Sequence, residues 1–195
     1  MTKQASKYFQ LYLVSLIVYC NSIISCSKVN EDSKSDQVFR YNEHKNISSL
    51  DPAFAKDNAD IWATNQLFNG LVQMDSTLNI HPAIASSWII SEDNKTYTFS
   101  LRDDVYFHPH KLFGKGNTRT VNANDFVYSF DRLKSPQLAS PGSWVMKNIE
   151  SYKAIDISHF EIKLKKPFPA FLGLLTMKYC SVVPMEITSH YGAEF

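Results

Sequence analysis

Two histidines, His108 and His110, are the residues of this chain best placed to bind a metal ion. In an extended segment the side chains of residues i and i+2 leave the same face, so two imidazoles could share one nickel, copper or zinc ion. A structural site takes about four ligands, and no Cys or acidic cluster in the neighbouring sequence completes one. The sequence therefore favours a polar strand end over a metal site, and it predicts no cofactor.

Catalytic motifs are absent from the sequence. It contains neither the Gly-x-Ser-x-Gly nor the His-Glu-x-x-His pattern. Residues 114–118 (GKGNT) lack the Gly-Lys-Ser/Thr order that places a lysine against phosphate. Cys180 lies in an apolar segment with no histidine at motif spacing, which is typical of a small core residue rather than a nucleophile. We therefore predict that the protein is not an enzyme.

The overall charge excludes another class of function. The 195 residues include 20 Lys and Arg and 19 Asp and Glu, which gives a formal net charge of +1. A chain so close to neutral has no broad positive field to attract nucleic acid. We predict no nucleic-acid partner.

The first 37 residues have the layout of a lipoprotein leader and tether. Lys3 and Lys7 precede an apolar run at residues 11–20, which is too short to span a bilayer comfortably. Ile23-Ile24-Ser25-Cys26 resembles the bacterial lipobox, in which the cysteine thiol accepts the lipid. The sequence predicts a signal peptide at residues 1–25, lipidation at Cys26 and a flexible polar tether at residues 26–37, with an uncleaved membrane anchor as the alternative.

Hydrophobic periodicity then predicts alternating helices and strands. Apolar residues at helical spacing indicate a helix from Asp57 or Asn58 to about Asn69, and Asn122 with Asp125 can form a capping box for a second helix. Strict alternation predicts half-buried strands at residues 96–101 and 160–164, the first paired in a hairpin with residues 88–90. Short strands are also predicted at residues 38–42, 105–107 and 180–183, and a helix at residues 171–177. The fold class is therefore mixed α/β.

Several segments, in order, resemble one protein family. They are LDP at residues 50–52, LFNGL at 67–71, PAIASSW at 82–88, TYTFSLR at 96–102, VNANDFVYS at 121–129 and KKPFP at 165–169. Together they resemble the bacterial extracellular solute-binding proteins of family 5, which serve importers for peptides and related solutes. The resemblance implies a periplasmic-binding-protein-like lobe of the class II type over residues 38–195, truncated before the second lobe is complete.

The resemblance also implies where a ligand binds. In peptide binders the loop after the LDP motif approaches the ligand. The corresponding segment here is residues 54–58, so the resemblance implies that Phe54, Lys56 and Asn58 contact the ligand. The loop after the second helix also approaches the ligand in peptide binders. The resemblance therefore implies that Ser140, Gly142 and Trp144 contact the ligand. Peptide binders often carry an aromatic residue where this chain has Gly142. The contact between that aromatic side chain and the ligand is therefore either lost here or supplied by Trp144.

The function implied is the substrate-binding component of an ABC importer. It would bind peptides at the periplasmic or extracytoplasmic face, anchored to the membrane through acylated Cys26, and deliver them to permease and ATPase subunits. One alternative keeps this class but changes the ligand to nickel or another metal chelate, with His108 and His110 involved, or to haem or an oligosaccharide. A second alternative is a truncated lipoprotein with a structural or interaction role. Residues 38–195 alone, with half a cleft, are expected to bind no peptide tightly.

Overall fold

Six strands and four α-helices form the part of the chain that the computed structural model describes, which is Arg40 and residues 42–195. The strands are β1 (Val72–Met74), β2 (Ile80–Pro82), β3 (Ala85–Ile90), β4 (Thr96–Leu101), β5 (Ile149–Ala154) and β6 (His159–Leu164). The helices are α1 (Asn58–Leu67), α2 (Ala123–Lys134), α3 (Phe171–Leu175) and α4 (Met185–Tyr191). Residues 43–195 form one unit, and the predicted mixed α/β class is confirmed. The predicted signal peptide, Cys26 and tether lie outside the described residues, as does most of the predicted strand at residues 38–42.

The main sheet is antiparallel, in the order β3-β4-β6-β5. The alternation predicted for β4 and β6 is confirmed, because one set of side chains on each strand is buried. Helix α2 packs on this buried face, where Phe160 contacts Phe126 and Phe130 at ring-centroid distances of 5.6 and 5.5 Å. These large apolar side chains form the core that holds the lobe together.

Helix α2 begins at the predicted capping box. The Asn122 side chain accepts a hydrogen bond from the Asn124 amide at 2.9 Å, and Asp125 Oδ2 accepts one from the Asn122 amide at 2.9 Å. The helix ends at Lys134, just before Ser135 and Pro136, where the proline ring disfavours helical geometry in the preceding residue. Both ends of α2 are therefore set by local sequence.

Three element predictions are wrong in detail. With the described residues, positions 105–107 form only one isolated bridge, between Tyr106 and Thr120. Residues 180–183 are buried as predicted but pair with no strand in the described part of the chain; the Val182 amide instead donates to the Asn69 carbonyl at 3.0 Å. Helix α3 stops at Leu175, two residues early. A continuous run of apolar residues indicates that a segment is buried. Whether it also forms a strand depends on a backbone hydrogen-bonding partner elsewhere in the chain, which the run itself does not reveal.

The long loop at residues 108–120 is held in place by Arg119. Its guanidinium donates two hydrogen bonds to Asp125, at 2.8 and 2.7 Å, and two to Glu186 of α4, both at 2.7 Å. It also lies over the rings of Phe107 and Phe113, 5.0 and 5.6 Å from their centroids. One side chain therefore joins the loop to the start of α2 and to α4.

The Arg119–Glu186 pair makes stability depend on pH. Hydrogen bonds from Arg119 hold the pKa of Glu186 below its ordinary value, so the unfolded chain binds more protons in that range. The stabilising contribution is present above the unfolded pKa of about 4.3 and is lost as the pH falls through the lower folded pKa. We predict that Glu186→Gln weakens the dependence of the urea midpoint on pH between about pH 3 and pH 6. An identical pH slope in wild type and variant would contradict this prediction.

Cys180 is buried and free, and burial raises the pKa of its thiol to about 12. The thiolate is the reactive species, so this side chain should resist alkylation in the folded protein. We predict that iodoacetamide at about pH 8 modifies Cys180 only in urea, as read by peptide mass spectrometry. Modification of Cys180 in the native protein, as fast as in urea, would contradict the observed burial.

Candidate functional site

The first of two predicted ligand-facing segments, residues 54–58, follows a turn that Asp51 shapes. Its carboxylate accepts a hydrogen bond from the Ala53 amide at 3.0 Å and so caps the short 3₁₀ turn Pro52–Phe54. Pro52 favours the start of this turn because its fixed φ suits the first position. Arg132, near the end of α2, donates two further hydrogen bonds to Asp51, at 3.1 and 2.6 Å. The LDP motif is thus fixed to α2.

The second loop, residues 139–144, is joined to the first by Ser140. The buried Ser140 hydroxyl donates to the Ala53 carbonyl at 2.5 Å and accepts a hydrogen bond from the Gly142 amide at 3.0 Å. Loops that lie about 87 residues apart in sequence are therefore in direct contact. The LDP turn and the two predicted segments, residues 54–58 and 139–144, therefore form one surface, which we call the loop wall (residues 51–58 and 139–144).

Tyr179 completes the loop wall from a third segment. A side-chain carbon built on Gly142 would lie 2.3 Å from Tyr179 Cγ, so the tyrosine ring occupies the space beside that glycine. Burial, and then the nearby charge of Asp57, raise the pKa of the Tyr179 phenol. The sequence pattern places Tyr179 in an apolar segment with Cys180, which indicates core, so its place against both loops is revealed only by the structure.

Two recesses flank Phe54 on the loop wall. One has a volume of about 460 Å³ and is lined by Ser48, Ser49, Phe54, Lys56, Ala139 and Pro141. The other has a volume of about 480 Å³, and its lining includes Phe54, Asp51 and Arg132. A third recess, of about 380 Å³, includes Phe68, Phe107 and Val182 in its lining but none of the six predicted ligand residues. Because Phe54 lines both of the first two recesses, and Lys56 lines one of them, these two are the candidates for a ligand site at the predicted loops.

The six predicted ligand residues differ in exposure. Lys56, Asn58 and Trp144 are exposed and Phe54 is half-buried, so these four side chains are available at the surface. Ser140 and Gly142 are buried, the first engaged with Ala53 and the second covered by Tyr179. Ligand contact by all six stays a prediction.

The histidine pair gains no further ligands from the fold. His110 accepts a hydrogen bond from the Leu112 amide at 3.2 Å through Nδ1, and its Nε2 lies 3.3 Å from the Tyr191 hydroxyl. Within residues 42–195 no group of three His, Cys, Asp or Glu side chains is close enough to hold a metal ion. His110 therefore connects the long loop to α4 in this structure.

Comparison with known proteins decides the family. The sequence profile of the bacterial extracellular solute-binding proteins, family 5 (middle), matches residues 79–193, more than half of the chain. The chain belongs to this family. This chain shares 30% identity over 185 residues with the dipeptide-binding protein of Escherichia coli K12. The match covers 89% of this chain and 31% of that relative. This chain also shares 33% identity over 175 residues with heme-binding protein A of Haemophilus influenzae, covering 83% and 32%.

Solved structures confirm the fold. The periplasmic binding protein DppA of Helicobacter pylori, in complex with the peptide STSA, matches with a TM-score of 0.66 and 32% identity, over 75% of this chain and 30% of that one. The predicted periplasmic-binding-protein-like lobe is thereby confirmed. The family 5 chain spans about a third of the length of the curated relatives it matches. Within the described residues, the structure contains no helix both long and apolar enough to span a membrane.

Proposed function

We propose that the protein is the N-terminal part of a peptide-binding component of an ABC importer, and that the loop wall is one side of its peptide cleft. The observation that carries the proposal is the hydrogen bond between Ser140 and Ala53, which joins the second predicted ligand segment to the turn that precedes the first. Membership of the solute-binding family and the likeness to a peptide-bound relative support it.

The mechanism we infer is capture without covalent chemistry. A peptide lies extended along the loop wall and is held through its main chain, as in other strand-like recognition modes. Phe54 and Trp144 offer aromatic surface, and Lys56 offers a charge. A second lobe then closes over the ligand by a hinge motion, and the permease and ATPase respond to the closed form.

The described residues provide one wall, so binding by this chain alone should be weak. Titration of the ¹⁵N-labelled 195-residue protein with tri-alanine, to about 10 mM, should shift the amide signals of the loop wall. The outer strand β3 serves as an internal control and should not shift. Maltotriose at the same concentration should leave the loop wall unchanged. A response to the sugar alone, or to neither compound, would reject the peptide proposal.

A different ligand in the same class is the second candidate. The relative named heme-binding protein A is 33% identical over 175 residues, so haem is a specific alternative. The same titration with haem distinguishes the two. Shifts in the loop wall with haem but not with tri-alanine would favour haem.

Membrane attachment through Cys26 is also part of the proposal. Two or three acyl chains would anchor the protein stably, whereas a single chain gives only marginal binding. In a bacterial host fed a clickable fatty acid, the wild-type protein should acquire the label and Cys26→Ser should not. Equal labelling of the two proteins would exclude Cys26 as the lipid site.

A further inference from the structure

The two recesses beside Phe54 differ in charge. Of the described residues that line the recess of about 460 Å³, only Lys56 is charged. The recess of about 480 Å³ is lined by both Asp51 and Arg132, and their ion pair of 2.6 Å leaves it without a net charge. We call the first of these the Lys56 recess, with a lining of Ser48, Ser49, Phe54, Lys56, Ala139 and Pro141. It is the one of the two that favours a negatively charged group.

The Lys56 charge has no partner within residues 42–195. Lys56 is exposed, and none of the ion pairs or side-chain hydrogen bonds among those residues includes its ammonium group. The acidic residues that follow it have other partners. Asp57 pairs with Lys45 at 2.9 Å, and the buried Asp60 accepts two hydrogen bonds from Ser48, both at 2.7 Å. The Lys56 ammonium is therefore available to a group that enters the recess.

Ser49 adds a hydrogen-bond donor to the same recess. Its Oγ accepts a hydrogen bond from the Asp51 amide at 3.0 Å, and a serine hydroxyl can donate one hydrogen bond while it accepts another. No acceptor among the described residues bonds to the Ser49 hydroxyl hydrogen. A cation and a free hydroxyl donor on one recess suit a carboxylate, which accepts hydrogen bonds and donates none.

The backbone on both sides of the Lys56 recess is held in place. The Ala55 amide donates to the Pro52 carbonyl at 3.2 Å, and the Lys56 amide donates to the Phe54 carbonyl at 2.7 Å. Ala55 is 1% exposed, so the residue next to Lys56 is buried. On the second loop, Ala139 has a left-handed φ of 50°, which non-glycine residues rarely adopt and which is found most often at functional sites. The recess is thus formed before any ligand arrives, which lowers the cost of binding.

We propose that the Lys56 recess binds a carboxylate of the ligand, so that the cleft prefers peptides that present one to the loop wall. This inference rests on the proposed function and names the class of peptide that the site selects. Lys56 supplies the charge, Ser49 donates a hydrogen bond, and Phe54 packs against the carbon atoms beside the carboxylate. A lysine ammonium is a compact point charge, so the recess accepts either the carboxyl terminus of a peptide or an acidic side chain.

The test titrates four probes into the full ¹⁵N-labelled chain and follows the amide signals of the loop wall and of Ser48 and Ser49. Tri-alanine and its amide differ only in the terminal carboxylate, and the amides of Ala-Glu-Ala and Ala-Gln-Ala differ only in a side-chain carboxylate. In at least one pair the acid should bind about threefold more tightly, as expected for one exposed ion pair. The first pair responds if the recess takes the peptide terminus, and the second responds if it takes a side chain.

Salt separates a charge effect from a difference in shape. Because exposed charges are screened, the preference for the acid should shrink when the salt concentration rises from about 0.05 M to about 0.5 M. Equal affinities within both pairs, with shifts still seen at the loop wall, would overturn the inference and leave the proposed function standing.

Variants assign the preference to Lys56. In Lys56→Gln the ratio of affinities between acid and neutral probe should fall to about one, and in Lys56→Glu it should fall below one because like charges repel. Lys111→Gln removes an exposed lysine of the long loop, so it changes the net charge equally and should keep the wild-type ratio. If Lys56→Gln also keeps the wild-type ratio, another cation selects the acid and the inference is wrong. If no probe perturbs the loop wall, the proposed function and this inference fall together.

Discussion

Replacing Arg132 with Met is expected to lower the free energy of unfolding by about 3–5 kcal/mol, because it leaves the Asp51 carboxylate buried without its counter-charge. Asp51 is 3% exposed, and the Arg132 side chain is 14% exposed. Two hydrogen bonds, of 3.1 and 2.6 Å, join them, and Arg132 Cζ also lies 5.7 Å from the ring centroid of Phe195. Methionine preserves much of the apolar stem, so the loss would come mainly from the broken ion pair.

Urea unfolding followed by tryptophan fluorescence measures this change. Lys134→Met removes an exposed cation two residues further along α2 and should change stability by less than about 0.5 kcal/mol. Adding Asp51→Asn to Arg132→Met removes the orphaned charge and should recover part of the loss, which gives a double-mutant cycle. A loss in Arg132→Met no larger than in Lys134→Met would show that the pair contributes little to holding the first loop.

The sequence predicts best those elements that local residues determine. Asn122 and Asp125 set the start of α2 through bonds within one helical turn. The alternation of β4 and β6 reports which face meets the core, because side chains alternate across a strand. The loops that make the site are identified only through family resemblance, since short polar stretches carry no periodic pattern of their own.

What the sequence cannot predict depends on contacts between distant residues. The Arg132–Asp51 pair joins positions 81 residues apart, and Ser140 bonds to a carbonyl 87 residues away. Tyr179 packs against the core, as its apolar neighbours suggest, but its contact with Gly142 of the second loop has no signal in the sequence.

The contact between Gly142 and Tyr179 gives the second large prediction. Gly142 has φ −83° and ψ −2°, a backbone geometry that alanine also adopts, so Gly142→Ala introduces no conformational strain. The added methyl group would instead meet Tyr179 Cγ, Cδ1 and Cβ at 2.3, 2.5 and 2.8 Å. Forcing one carbon into such a space should cost about 3 kcal/mol and push the tyrosine ring off the loop wall.

Two further variants separate this clash from a general intolerance of alanine. Gly116→Ala adds the same methyl group where nothing lies within 4 Å, so it should leave the urea midpoint nearly unchanged. In a Tyr179→Gly background all three contacting side-chain atoms are gone, and Gly142→Ala should then cost much less than in wild type. Equal costs in both backgrounds would mean that the ring does not occupy this space. A reduced cost would establish that Tyr179 fills the position beside Gly142, so that substitutions at either residue reshape the same part of the loop wall and must be interpreted as a pair.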